Sequence, residues 1–278
     1  MRTITRTIYG ARLQSLQYFG LPYNHIPNTT LNEKLNIFPD QRPDPGEMPR
    51  NRYFCIGNRG HRLAVGADSF PLTDELQHQP SHGGPYGIVP FILRRASEDL
   101  DVPTRAKYGL RRLETHNGQN YIAYYAKRID LSGVTAGMYM NAVEDGVTTT
   151  SPFVPNSGDL NPTPPSIPPT GSITTSGDHL SVSTLVDLSL SRSEIEEYIE
   201  AVKILYGDER YAVISEISMV AGCDKILTQS GLSYNEIVEA QITAHITDYH
   251  ALRYSNNGLV LTADVGAVEP LFEVVSGP

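Results

Sequence analysis

His78 and His82 stand four residues apart, the spacing at which two imidazoles on one helix face can hold a metal ion. They lie in HQPSHGGP, where Pro80 and two glycines exclude a regular helix, so the stretch reads as a polar loop. His245, Asp248 and His250 form a second cluster. On a strand His245 and His250 point to opposite faces, because their separation is odd, while Asp248 and His250 share one. This pattern reads as a solvated or interface face. A nucleophilic cysteine needs a polarising base and a lowered pKa. Cys55, between Phe54 and Ile56, and Cys223, after Gly222, have no recognisable base and read as small buried apolar residues. Gly57-Asn58-Arg59-Gly60 has the GxxG form of a nucleic-acid-binding loop but joins two strand-like runs, which makes it a tight turn.

Arg94, Arg95, Arg105, Lys107, Arg111 and Arg112 form a basic cluster, diluted by Glu98, Asp99, Asp101 and Glu114. A nucleic-acid site would want a contiguous patch on a basic domain. The cluster reads instead as a solvated face or an ion-paired subunit interface. Nucleotide-binding glycine loops, HExxH, paired CxxC and GxSxG are all missing. No catalytic residue, metal ligand or cofactor is predicted, and the chain is not expected to be an enzyme.

The elements that carry these residues follow from periodicity and punctuation. The first segment, 1–50, is helical and extended: Leu13, Leu16, Phe19 and Leu21 have helical spacing, and 39–50 is a Pro-rich loop. Strands are predicted over 52–56 and 61–66, with 68–83 irregular. Ile88, Val89, Ile92 and Leu93, then Tyr108, Leu110 and Leu113 after Pro103, predict helices near 86–114, closed by His116-Asn117-Gly118. YIAYYAKRIDL (121–131) is a strand. Leu180 to Leu190 alternates with period two. A helix over 193–206 is capped by Ser193 and Glu196 and ended by Gly207. Further strands cover 210–222, 240–247 and 259–265, the last two joined by an Asn257-Gly258 hairpin turn.

Residues 151–171 hold seven prolines together with Phe153, Val154, Leu160 and Ile167. Proline excludes both helix and sheet interior, and a purely solvated linker has no need of those apolar residues. The segment therefore reads as an extended, polyproline-like arm laid over a surface. Its interface candidates are Phe153, Pro155, Leu160, Pro164, Pro165, Ile167 and Pro168, joined by Arg94, Arg95, Arg111 and Arg112. The fold class is α+β and β-rich: an antiparallel β-sandwich core over 51–150 and 172–278, with helices inserted or packed on it and the arm at 151–171.

The chain has 278 residues, no Trp, and a net charge of −9 that hides a split. Residues 1–139 carry 17 basic and 12 acidic side chains, and residues 140–278 carry 5 and 19. Such asymmetry reads as a basic or acidic partner surface, or as halves that face each other within one chain or between copies. There is no secretory signal and no apolar run long enough to span a membrane, so a soluble protein made in the cytoplasm is expected.

TTLNEKLNIF (29–38), YFCIGNRGHRLAVGADSFPL (53–72), RAKYGLRRLETHNGQNYIAYYAKRID (105–130), TPPSIPPTGSITTSGDHLSVS (163–183) and YAVISEISMVAGCDK (211–225) resemble virion structural proteins of tailed bacteriophages. More distantly, the early strand with its glycine turn, YGIVPFILRR (86–95), the Tyr-rich strand and YAVISEI (211–217) resemble β-sandwich baseplate wedge subunits of contractile-tailed phages. The resemblance implies a structural subunit of the virion, in a symmetric homo- or hetero-oligomer with other phage structural proteins. The baseplate wedge comes first and a neck or head–tail connector second. A virion-associated enzyme is the alternative from another class.

Overall fold

The computed structural model describes residues 3–65, 71–164, 178–229 and 231–266. In order they form β1 (Thr3–Arg6), α1 (Ile8–Phe19), α2 (Leu31–Leu35), β2 (Arg50–Gly57), β3 (His61–Val65), β4 (Pro71–Glu75), β5 (Ile88–Val89) and β6 (Ile92–Arg95). After a 3-10 turn at Ala96–Glu98 come α3 (Val102–Arg105), β7 (Tyr108–His116), β8 (Gln119–Arg128), β9 (Gly137–Glu144), β10 (Val147–Pro152) and α4 (Ser157–Leu160). The chain continues through β11 (His179–Ser183), β12 (Leu185–Ser191), α5 (Arg192–Tyr206), β13 (Val213–Gln229), β14 (Leu232–Ala251) and β15 (Gly258–Asp264). The protein is β-rich, with antiparallel sheets and packed helices. It divides into two compact units, residues 1–130 with 189–260 and residues 131–188 with 261–278. None of the helices is long and apolar enough to cross a membrane among the described residues.

The first unit is built on an eight-stranded sheet of order β1-β14-β13-β2-β8-β6, with β5 also on β2 and β7 also on β8. The long β13–β14 hairpin runs in register from Val213 opposite Ala251 to Gln229 opposite Leu232. It enters the sheet between β1 and β2, so a late segment of the chain pairs with two early strands. Residues 53–57, 122–126 and 212–223 are buried without a break, so the central strands are covered on both faces. Leu31, Leu35 and Ile37 pack with Tyr53, Cys55, Leu93, Leu110, Ala123, Ile237 and Ile242 in the main core.

Local chemistry sets the helix ends. Thr7 caps α1: its hydroxyl accepts from Gly10 N–H and donates to Ile242 O at 2.6 Å, while its own N–H donates to Thr243 O. This brings the helix so close to β14 that a Cβ on Gly10 would lie 2.5 Å from Thr243 O. In α5 the capping box is Ser191 with Glu194, two residues before the expected pair. Both pairs have the S-x-x-E form, and the chain turns helical directly where β12 ends. Ile195, Tyr198, Ile199 and Val202 are buried as expected, and Gly207 closes the helix at φ 77°.

Five expectations are corrected. The helices near 86–114 are mostly strands: β5, β6 and β7 take that stretch, and only the 3-10 turn and α3 are helical. Short apolar runs buried on both sides carry no decisive period. Asn117-Gly118 does not end a helix; with φ of 50° and 75° it forms the two-residue turn of the β7–β8 hairpin, His116 facing Gln119. Residues 68–83 are not wholly irregular, since β4 pairs with β3. No hairpin forms at Asn257-Gly258. The chain turns at Arg253–Asn256, and β15 pairs with β12 rather than β14. The alternating run at 180–190 is likewise two strands, broken at Thr184.

In the second unit β9 lies between β10 and β11. Asp145-Gly146, both at positive φ, make the tight β9–β10 turn. The arm begins as β10, continues through Pro155, and then forms the single helical turn α4, capped by Asn156 and Asp159. It is therefore not uniformly extended over 153–164. Pro165, Ile167 and Pro168 lie outside the described residues.

Candidate functional site

The two oppositely charged halves of the sequence meet inside the first unit. Asp224 of β13 pairs with Arg52 at 3.3 Å and Arg128 at 2.8 Å, and also accepts from Tyr53, over whose ring Arg128 lies. Burial pushes the Asp224 carboxyl up, but Arg128 and Tyr53 outweigh it and hold it below the usual range. Glu194 of α5 pairs with Lys127 at 2.7 Å, Glu197 pairs with Arg94, and Lys225 pairs with Asp44 at 2.8 Å. Part of the charge split is thus met within one chain, where Asp224, Glu194 and Glu197 of the acidic half pair with cations of the basic half.

The basic candidates turn inward in the same way. Besides Arg94 on Glu197, Arg111 pairs with Asp99 at 2.8 Å, and Arg112 pairs with Glu114 at 2.6 Å and reaches Leu35 O. Arg95 is exposed. These residues sit on strands, so they are not a helix face. In the arm, Phe153 is half-buried and its N–H extends the ladder to Met138 O, whereas Pro155, Leu160 and Pro164 are exposed. His250 bonds Asp248 at 3.0 Å, the shared face expected for them. Both cysteines are buried. Burial pushes the Cys55 thiol up, and burial with nearby carboxylates pushes Cys223 up to about 12, the opposite of an activated thiol.

Three carboxylates that sequence reading missed organise the buried polar interior. Glu216, fully buried on β13, accepts from His78 Nε2 at 2.9 Å and from the N–H groups of Tyr86 and Gly87. Burial raises its pKa, but His78 and these N–H groups prevail and hold it below the usual range. His245 stacks on His78 with ring centres 3.7 Å apart, so the loop pair His78/His82 meets one member of the second cluster. The GxxG turn has its explanation here: side chains on Gly57 or Gly60 would run into Glu216 and the Ser215 carbonyl. Those glycines were the one sequence trace of the carboxylate.

Glu236 of β14 binds β7 at Leu110, where the ladder to β8 is interrupted for one residue. Leu110 stands at φ 54°, unusual for a bulky side chain, and its N–H and that of Arg111 point at the Glu236 carboxylate at 2.5 and 3.0 Å. Burial pushes Glu236 up to about 7 against the pull of these donors. Glu239, also at positive φ, lies in a bulge of β14. It receives the Tyr23 hydroxyl at 2.9 Å and His25 at 3.0 Å, with Arg42 at 3.3 Å. These three partners line an open cleft of about 970 Å³ between the end of α1 and the Pro-rich loop. Among the described residues, no group of three or more His, Cys, Asp or Glu side chains is placed to hold a metal ion.

The second unit presents a different surface. Met138 faces Val182 and Met140 faces Leu180 across β9 and β11, so all four lie on one side of the sheet. Each is 36–49% exposed. Ala142, Thr149 and Ser151 share that side by register, so its centre carries no charge.

No curated protein and no solved structure matches the chain. One family model matches over residues 1–276, under the description "Family of unknown function (DUF7208)", and the chain belongs to that family.

Proposed function

We propose that this chain is a non-enzymatic structural subunit of a tailed-phage particle, a baseplate wedge component that works by protein–protein contact. The observation that carries the reading is the uncovered apolar face of Met138, Met140, Leu180 and Val182. A three-stranded sheet gains its stability by burying such a face, and a subunit interface is the common reason for leaving one exposed. The phage setting rests on the resemblance of the sequence segments quoted above. The β-sandwich architecture and the Pro-rich arm draped over a neighbour belong to the same proposal, and exposed Leu160 suits the arm. A neck or head–tail connector is the second position, because a ring beside the portal would use the same face. The virion-associated enzyme rests on the Asp248–His250 pair alone.

The test is the double substitution Met140→Asp, Val182→Asp. Carboxylates on an exposed face leave the strands paired, so the purified chain should keep its circular dichroism spectrum. Its incorporation into particles should be lost, read by gel analysis of purified virions. Particles that carry the variant at wild-type copy number would show that this face joins no neighbour. Imaging wild-type particles then separates a ring at the tail tip from one beside the portal.

A further inference from the structure

Residues 76–87 cross the β13–β14 surface and are tied to it through titratable rings. His78 Nε2 faces Glu216, and its Nδ1 lies 3.2 Å from Nδ1 of His82. The N–H of Gln79 also points at His82 Nδ1, which makes that nitrogen an acceptor. His82 therefore carries its proton on Nε2. On the other side of His78, His245 Nε2 faces the His82 carbonyl and therefore donates, leaving Nδ1 to accept from Ser218. The ties are completed by Tyr86 and Gly87 N–H on Glu216, Thr5 Oγ1 on His78 O, and Thr247 Oγ1 on Leu76 O.

Two further protons fit this arrangement badly. Protonated His82 would point an Nδ1–H at the N–H of Gln79 across 3.3 Å. Protonated His245 would put a cation against the stacked His78 ring, 3.7 Å away. Burial and His78 hold both His82 and His245 below the ordinary histidine value, His245 at about 4. Other ionisable groups near the cluster are Lys34 of α2, which donates to Pro85 O, His61 of β3, and Tyr86, stacked on His78. Lys34 adds positive charge, and Glu216 is the carboxylate bonded to the rings. His82 is half-buried and lines a cleft of about 540 Å³ with Glu33, Lys34 and Tyr86, which gives protons a route in.

We propose that residues 76–87 are an acid-released clasp: proton uptake by His82 and His245 detaches the segment from β13 and β14 while the rest of the first unit stays folded. The test is amide hydrogen exchange followed by NMR between pH 7 and pH 4.5, reported as protection factors. Tyr86 and Gly87, whose N–H groups end on Glu216, should lose at least tenfold in protection as pH falls. Ile199 and Val202, buried in α5, should keep theirs. In His82→Asn, whose side-chain oxygen can still accept from His78 and Gln79, release should move to lower pH. Constant protection at Tyr86 and Gly87 would overturn the proposal. So would a loss shared with Ile199 and Val202, or a His82→Asn profile equal to wild type.

Discussion

Glu236→Ala is expected to destabilise the first unit by about 3–5 kcal/mol. The substitution removes the acceptor of two buried N–H groups, Leu110 and Arg111, and each unsatisfied donor costs roughly 1–3 kcal/mol. It also frees Leu110 from the contact that holds its left-handed backbone, and a side-chain-bearing residue in that region costs about 1–3 kcal/mol. The β7–β8 register is the same on either side of Leu110, with Gly109 opposite Ala126 and Arg111 opposite Tyr124, so the irregularity is confined to that one residue. Glu236→Gln keeps one acceptor and should lose about half as much. The comparison also has a pH signature. Because Glu236 is raised to about 7 from an unfolded value near 4.5, its protonation favours the folded state. That contribution is complete below about pH 4.5 and is lost as pH rises through about 7. Wild-type stability relative to Glu236→Gln should therefore fall across that window, measured by urea unfolding at a series of pH values.

Gly10→Val is expected to lift α1 from β14 and to cost about 2–4 kcal/mol, at or above the usual range for overpacking. A Cβ at Gly10 would stand 2.5 Å from Thr243 O and 2.8 Å from its Cα, backbone atoms held between Ile242 and Ala244, which are both paired with β13. The helix must move instead, which breaks the Thr7 hydrogen bonds to Ile242 O and Thr243 O. Gly20→Ala is the control. Gly20 stands at φ 62° in open space, so it should cost only about 1 kcal/mol through backbone strain. Equal melting temperatures for the two variants would refute the close-approach account.

Segments whose cause is local could be read in the sequence. β2 and β8 follow from their aromatic and β-branched residues, the buried face of α5 and the alternating core of β14 from side-chain period, and Gly207 from the need for a left-handed cap. Segments shaped at a distance could not. Nothing in Leu110 signals positive φ, because the reason is Glu236 on another strand. The start of β7 also lacks the alternation that would have marked it as a strand, since Tyr108, Gly109 and Leu110 are buried in succession. The site residues divide in the same way. Sequence spacing singled out His78, His82 and His245 but could not show that Glu216 joins them. Arg94 was visible as a charge, while its partner Glu197 lies on a helix a hundred residues later.

That separation has a consequence for the order of assembly during synthesis. β1 has β14 as its sheet neighbour, so Thr3 leaves the ribosome long before Thr247 exists to receive it. β2 waits likewise for β13. Until the hairpin emerges, the nascent chain carries an open strand edge and the cations Arg52 and Arg128 without the carboxylate they will meet, whereas α5 has already supplied Glu197 and Glu194 for Arg94 and Lys127. Insertion of β13–β14 closes the edge and brings Asp224 to both arginines. It is therefore the late, committing step, and before it the chain is most open to wrong pairing and most dependent on a chaperone.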